Sequence, residues 1–286
     1  MTDSEKLVIL TQNFAEFSKR VQTGNTQSKL TVSEIVNVLV SNSQNLEQIS
    51  SDFKKLTLSA SPNDDFAFCE ALCKSNLKKE VQNAIFIGSD EPTPAGAHSK
   101  ISFVKNRFNE LAYEKLSKGI TNPKPEYVSS FVESCESITD GTSEFCILPI
   151  SNSTDGHMKS FYSMLDRYEL KISASTDVDD DIGTVKYARI ARACKPIDLK
   201  DKNAKYLFEF SVISSDGEFL APLLTVANLA QAMPINIDSI PVEYASHLKR
   251  FFFTFSLTPQ NATPFRLYVA LKFQNYTPIG IYKEIK

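Results

Sequence analysis

A chain of 286 residues with 42% hydrophobic content has room for two or three modest domains with ordinary packed cores. Lys and Arg total 31 against 34 for Asp and Glu, so no overall positive field draws in phosphate backbones, and nucleic acid is excluded as an expected partner. No run approaches the roughly 20 apolar residues that span a bilayer, which sets aside the membrane as well.

The opening segment, 1–6, is polar and acidic and lacks the basic-then-apolar pattern of a secretory leader, so a cytoplasmic location is expected. The sequons at Asn152, Asn261 and Asn275 are then coincidental. Five cysteines, an odd number, fit reduced thiols. Cys69 and Cys73 lie one helical turn apart, but no second pair follows, and His98, His157 and His247 are scattered. No metal or other cofactor is expected.

From residue 4 to 80 the apolar residues recur at helical spacing: Leu7, Leu10, Phe14 and Phe17, then Ile35, Val36, Leu39, Leu46, Ile49 and Phe53, then Phe66, Cys69, Leu72, Cys73 and Leu77. Ser33 with Glu34 opens the second helix in this reading, and the cluster Ser61-Pro62-Asn63-Asp64-Asp65 caps the third. These stripes serve packing or a protein partner.

Residues 84–88 read as a short strand running into a Gly/Pro loop, and 101–116 as the helix after it. A second unit has a helix over 127–138 and a strand over 144–150. A third has a helix over 158–168, a strand over 170–175, an acidic turn at 177–181 and a strand near 186–191. Such alternation argues for an α/β layer. The C-terminal region reads as a strand at 206–213, an apolar helix at 220–232, strands at 235–244 and 250–257, and a segment at 265–273 that fits helix or strand. The order β-α-β-β-α-β is the ferredoxin-like plan.

Four stretches carry a family resemblance. Ile85-Phe86-Ile87-Gly88 and the loop holding His98 and Ser99 are similar to a "YLGPxGTFSHxAA" opening. Residues 127–156, with the run Ile150-Ser151-Asn152-Ser153, are similar to "SFxxVFxAVxxGxADxGVVPIENSxxG", 161–172 to "TLDLLxxxxLKI", and 183–190 to "TTRFxVI". In the C-terminal part, Pro234-Ile235-Asn236 resembles "GIN" and Pro278-Ile279-Gly280-Ile281-Tyr282 resembles "VLGSYP". These patterns resemble the prephenate dehydratase family, which ends in a ligand-sensing ACT domain.

The resemblance implies an α/β and α+β chain in three parts: a helical region (1–80), a single prephenate-dehydratase-like α/β lobe (81–198) and a ferredoxin-like, ACT-like domain (203–286). It also implies a cleft whose ligand-binding candidates are Asn152, Ser153, His98, Ser99 and Lys186, with Thr184, Lys186 and Ser153 as catalytic candidates. The sequence departs from the family at the chemistry. Ser151 stands at the glutamate of "IENS", Val185 at the threonine of "TRF" and Lys186 at its arginine. Valine donates no proton, and lysine lacks the bidentate fork that grips a carboxylate. Ile172 and Val185 are only about a dozen residues apart, where the family inserts a second lobe. Ala221-Pro222-Leu223 and Pro241-Val242-Glu243-Tyr244 replace the family's "GAL" and "ESRP".

The expectation is a divergent, non-catalytic binding, regulatory or scaffold protein. The alternative is a prephenate dehydratase, a carbon-oxygen lyase making phenylpyruvate, with rearranged groups or a second chain completing its cleft. A homodimer through the ACT-like domain is expected, its apolar surface supplied by Phe251-Phe252-Phe253 and Phe255. A further protein partner would dock on the N-terminal helices.

Overall fold

The computed structural model describes residues 31–56, 61–88, 96–152, 156–180, 183–198, 200–201, 204–242 and 245–286. The chain divides into two compact units, Met1–Gln82 and Asn83–Lys286. The stripe of Leu7, Leu10, Phe14 and Phe17 lies outside the described residues.

The first unit is helical, with α1 Val32–Asn42, α2 Leu46–Leu56 and α3 Pro62–Lys74, and α4 Lys78–Ala84 begins in it. Thr31, not Ser33, opens α1: its side chain accepts from the Glu34 amide while Glu34 returns a carboxylate to the Thr31 amide. Ser61 and Asp64 form the same reciprocal cap on α3, with Pro62 in the first turn, where its missing N–H costs nothing. Phe53 of α2 stacks on Phe68 of α3 with ring centroids 4.1 Å apart, and Leu72 and Val36 are wholly buried. Cys69 is buried in the same helix, and burial, then Glu70, pushes the Cys73 thiol up to about 12.

The second unit is built on a ten-stranded sheet. In chain order it has β1 Lys100–Val104, α5 Arg107–Leu116, β2 Lys124–Val128, α6 Phe131–Thr139, β3 Phe145–Asn152, β4 Gly156–His157, α7 Lys159–Arg167, β5 Lys171–Asp180 and β6 Gly183–Ala191. Then come β7 Tyr206–Ser214, α8 Leu220–Leu229, β8 Met233–Val242, β9 Ala245–Leu257, α9 Pro259–Lys272 and β10 Tyr276–Glu284. The strands lie in the order β2-β1-β3-β6-β5-β10-β7-β9-β8, with β4 paired to β3. β2 and β8 are the edges, and they carry Pro125, Pro234 and Pro241, since proline can donate nothing to a second neighbour.

Several elements differ from the sequence reading. Residues 84–88 are not a strand: Gly88 makes one isolated bridge to Ala193, Cys194 donates its amide to the Ile87 carbonyl at 2.9 Å, and Arg266 of α9 donates to the Ile85 carbonyl. The opening strand is β1, inside the span read as one helix. Ser102 explains why. Its hydroxyl is fully buried and satisfied by the Ser134 carbonyl (3.1 Å) and Ser137 Oγ (2.6 Å) of α6, so the strand fits there without an orphaned polar group. Likewise the span 127–138 divides into the end of β2 and α6, capped by Ser130. The acidic run 177–180 is strand rather than turn, because Asp177 pairs across to Lys186 and Asp179 accepts from Thr184.

Both faces of the central strands are covered. Along β3, Phe145 and Ile147 enter one core with Phe103, Ala112 and Tyr187, while Cys146, Leu148 and Ile150 enter another with Phe161, Leu165 and Tyr282. A third cluster is aromatic. Phe208 stacks on Phe210 at 4.9 Å, Phe210 on Phe253 at 5.1 Å, and Phe265 of α9 meets Phe255 edge-on at 5.1 Å. Phe252 turns to the opposite face, onto Tyr162 of α7. The run Phe251-Phe252-Phe253 is therefore buried on both sides, at 8%, 7% and 0% exposure, and supplies no free apolar surface.

Candidate functional site

In open sheets with parallel strands, ligands gather at the carboxyl ends of those strands, beside the helix N-termini that follow. β1, β2 and β3 are parallel neighbours, so Val104, Val128 and Asn152 mark that edge. Antiparallel β6 brings its first residues alongside: Asn152 faces Val185 and Ser151 faces Lys186. Asn152, Thr184 and Lys186 therefore share one end of the sheet, all half-buried. Ser153 lies outside the described residues.

His98 and Ser99 do not join them. The reading placed them in the loop after the first strand, but with the opening strand at Lys100–Val104 they precede it. Ser99, at φ +70, donates its hydroxyl to the Thr121 carbonyl (2.7 Å) and its amide to Glu144 Oε2 (3.0 Å), at the start of β3. Asn152 stands eight residues further along, about 25 Å at strand spacing. His98 is exposed beside Ser99. The loop that does follow β1 holds Lys105 and Asn106, and Asn106 caps α5 by accepting from the Asn109 amide at 2.8 Å.

The side chains that share the Asn152 end are tied into the sheet. Lys186 lies 3.1 Å from Asp177 Oδ1 and also bonds Glu284 of β10. Burial draws its pKa down, but hydrogen bonds and charge from the Glu284 and Asp177 carboxylates outweigh that and hold it above the usual lysine value. The ammonium stays charged, and two carboxylates already face it. The Thr184 hydroxyl donates to Asp179 Oδ1 at 2.9 Å. Val185 turns into the core beside Tyr187. Around Lys186 two carboxylates, Asp177 and Glu284, face a single ammonium.

β5 and β6 are joined as one hairpin, paired from Lys171–Ala191 to Asp180–Gly183. Ile172 and Val185 both lie within it, so no second lobe stands between them. A concave site does exist in this unit, but neither Asn152 nor Lys186 lines it. It is a cavity of about 380 Å³ at the other end of β3, with Glu144, Arg189, Arg192 and Lys283 in its wall. The sequence reading missed these residues. The available signal was Arg189 in the middle of an apolar strand, with Arg192 and Lys195 close behind in a chain of net charge −3.

No protein-family model and no curated protein matches this chain. Among solved structures it is similar to a prephenate dehydratase from Streptococcus mutans, with a TM-score of 0.53 and 13% identity over 65% of this chain and 99% of that one. It is also similar to the quorum-quenching acylase GqqA, with a TM-score of 0.51 and 16% identity over 64% of this chain and 94% of that one. Proteins of two different activities share the likeness, and at such identity it is a likeness of fold. The chain has a mixed α/β fold like that of prephenate dehydratases, which fits a distant relationship.

Proposed function

We propose that this chain is a divergent prephenate dehydratase-like protein that no longer performs the dehydration and acts as a dimeric binding or regulatory protein. The observation that carries the reading is the direct β5–β6 hairpin, which occupies the place where a second cleft wall would enter. The side chains at the catalytic positions support it: Val185 faces the core, Thr184 is held by Asp179, and Lys186 is neutralised by Asp177 and Glu284. Prephenate dehydration needs a proton donor to the departing hydroxyl and cations for two carboxylates. Neither need is met by groups so engaged.

The proposed dimer rests on the β7-α8-β8-β9-α9-β10 part, whose strand order β10-β7-β9-β8 supports reading it as ferredoxin-like. Its edge strand β8 exposes Met233 at 64%, Ile235 at 56% and Ile237 at 40%, and the preceding helix exposes Leu224 and Leu229. Apolar side chains exposed in a row are stabilised by cover, and a second copy of the same face covers them with its own Met233, Ile235 and Ile237. Light scattering of the purified chain should give twice the 32.0 kDa chain mass. A monomer mass at high micromolar concentration would overturn the dimeric half of the proposal.

A further inference from the structure

The cavity at the start of β3 gathers cations, two of which, Arg189 and Arg192, also donate to the last carbonyls of α5 and α6. Arg189, Arg192, Lys195 and Lys283 line it against a single carboxylate, Glu144, although the whole chain carries a net charge of −3. Arg189 is the innermost of these. Its guanidinium donates to Ser173 Oγ (3.2 Å) and the Leu116 carbonyl (2.8 Å) and lies 5.0 Å from the centre of the Phe145 ring. The Leu116 carbonyl ends α5 and offers the partial negative charge of a helix C-terminus, but among the described residues Arg189 has no carboxylate at ion-pair distance. Burial draws its pKa below the usual arginine value, with Glu144 pulling the other way from further off. A cation so placed is costly to keep without a counter-charge.

A second, independent feature points into the same space. Ser143 is 1% exposed and lines the cavity, yet among the described residues its hydroxyl has no hydrogen-bond partner, whereas buried hydroxyls are nearly always satisfied. Apart from Ser173 and the tyrosines, the rest of the wall is apolar and includes Phe145 and Ile281. Lys195 stands exposed at the rim without a carboxylate partner among the described residues, and Lys283 is shared between Asp201 (3.4 Å) and the Tyr206 ring. The volume is at the small end of the range for ligand pockets.

We infer that this cavity binds a small organic anion, its carboxylate or phosphate group held by Arg189 and Ser143 and its single-ring apolar body packed against Phe145 and Ile281. The inference does not depend on the proposed function, because Asn152 and Lys186 lie at the other end of β3.

Calorimetric titration of the full chain at constant ionic strength tests it, with benzoate, phenyl phosphate, inorganic phosphate and neutral benzamide as probes. Benzoate or phenyl phosphate should bind saturably with a Kd below about 1 mM, and benzamide about tenfold more weakly or not at all. Whichever of the two anions binds more tightly identifies the head group. Lys195→Glu, at the exposed rim, should weaken that anion about tenfold while leaving the melting temperature unchanged, and Arg189→Gln should weaken it further. Absence of saturable anion binding overturns the inference. So does equal affinity for benzamide, equal affinity for inorganic phosphate, or unchanged anion affinity in Lys195→Glu.

Discussion

Glu209 of β7 is 1% exposed and accepts from two phenols, Tyr162 of α7 at 2.6 Å and Tyr282 of β10 at 2.7 Å. The trio ties a helix and two strands together at a point sealed from solvent, with Glu209, Tyr162 and Tyr282 all buried. Tyr282→Phe should therefore cost about 1–3 kcal/mol in urea unfolding, since it leaves one carboxylate oxygen buried and unpaired. Burial first, then the Glu209 charge, holds both phenols un-ionised well above their usual pKa of about 10. The unfolded chain releases those protons near that usual value while the folded chain keeps them. Their contribution is thus fully present below about pH 10 and is lost as pH rises beyond it. Unfolding free energy followed from pH 8 to 11 should be level and then fall, with a shallower fall in Tyr162→Phe and Tyr282→Phe. Lys186 is a different kind of residue, a half-exposed brace between two carboxylates. Lys186→Met should cost about 1 kcal/mol or less, and added salt should narrow the difference by screening Asp177 from Glu284.

At the scale of elements, Gly280 marks the seam where β10 meets β5. A Cβ there would lie 2.5 Å from the Ile172 carbonyl oxygen, so Gly280→Ala should destabilise the fold by about 1–3 kcal/mol, read from the urea midpoint. Glycine in the run Pro278-Ile279-Gly280 is legible in sequence, but its reason is a close approach between strands 108 residues apart, which no local pattern reveals. The edge strand β8 makes the opposite case. Its residues read simply as a strand, while the phenylalanines of β9 read as surplus surface; in the structure β9 is covered on both faces and the exposed apolar residues are those of β8, which has a neighbour on one side only. Ile235→Lys on that edge should shift a dimer to monomer in light scattering without lowering the melting temperature of the monomer. Of the two caps read from sequence, that of α1 lies at Thr31 and not at Ser33, and that of α3 holds. Ser61 and Asp64 stand where the pattern places them, since a capping box is written within four residues.

Over the whole molecule, the mixed α/β character and the β-α-β-β-α-β order of the C-terminal part follow from alternating periodicities that survive in a single sequence. The register of the opening strand did not. Ile101, Val104, Phe108 and Ala112 keep helical spacing across a strand-to-helix junction, and only the contact of Ser102 with α6 separates the two. That error moved His98 and Ser99 into a site they do not reach. Asn152, Thr184 and Lys186 were legible as neighbours because they sit on paired strands, but the carboxylate that closes around Lys186 from β10 comes from the far end of the chain. The short interval between Ile172 and Val185 was legible directly, and the β5–β6 hairpin joins the two without an inserted domain; the proposed loss of dehydration rests on this, since a site with one wall leaves reacting groups in water, where fixed dipoles stabilise a transition state far less. The decisive measurement is the formation of phenylpyruvate from prephenate by the purified full-length chain, followed by absorbance against a protein-free control. We expect no turnover above that control; turnover that disappears in Lys186→Ala would contradict the account.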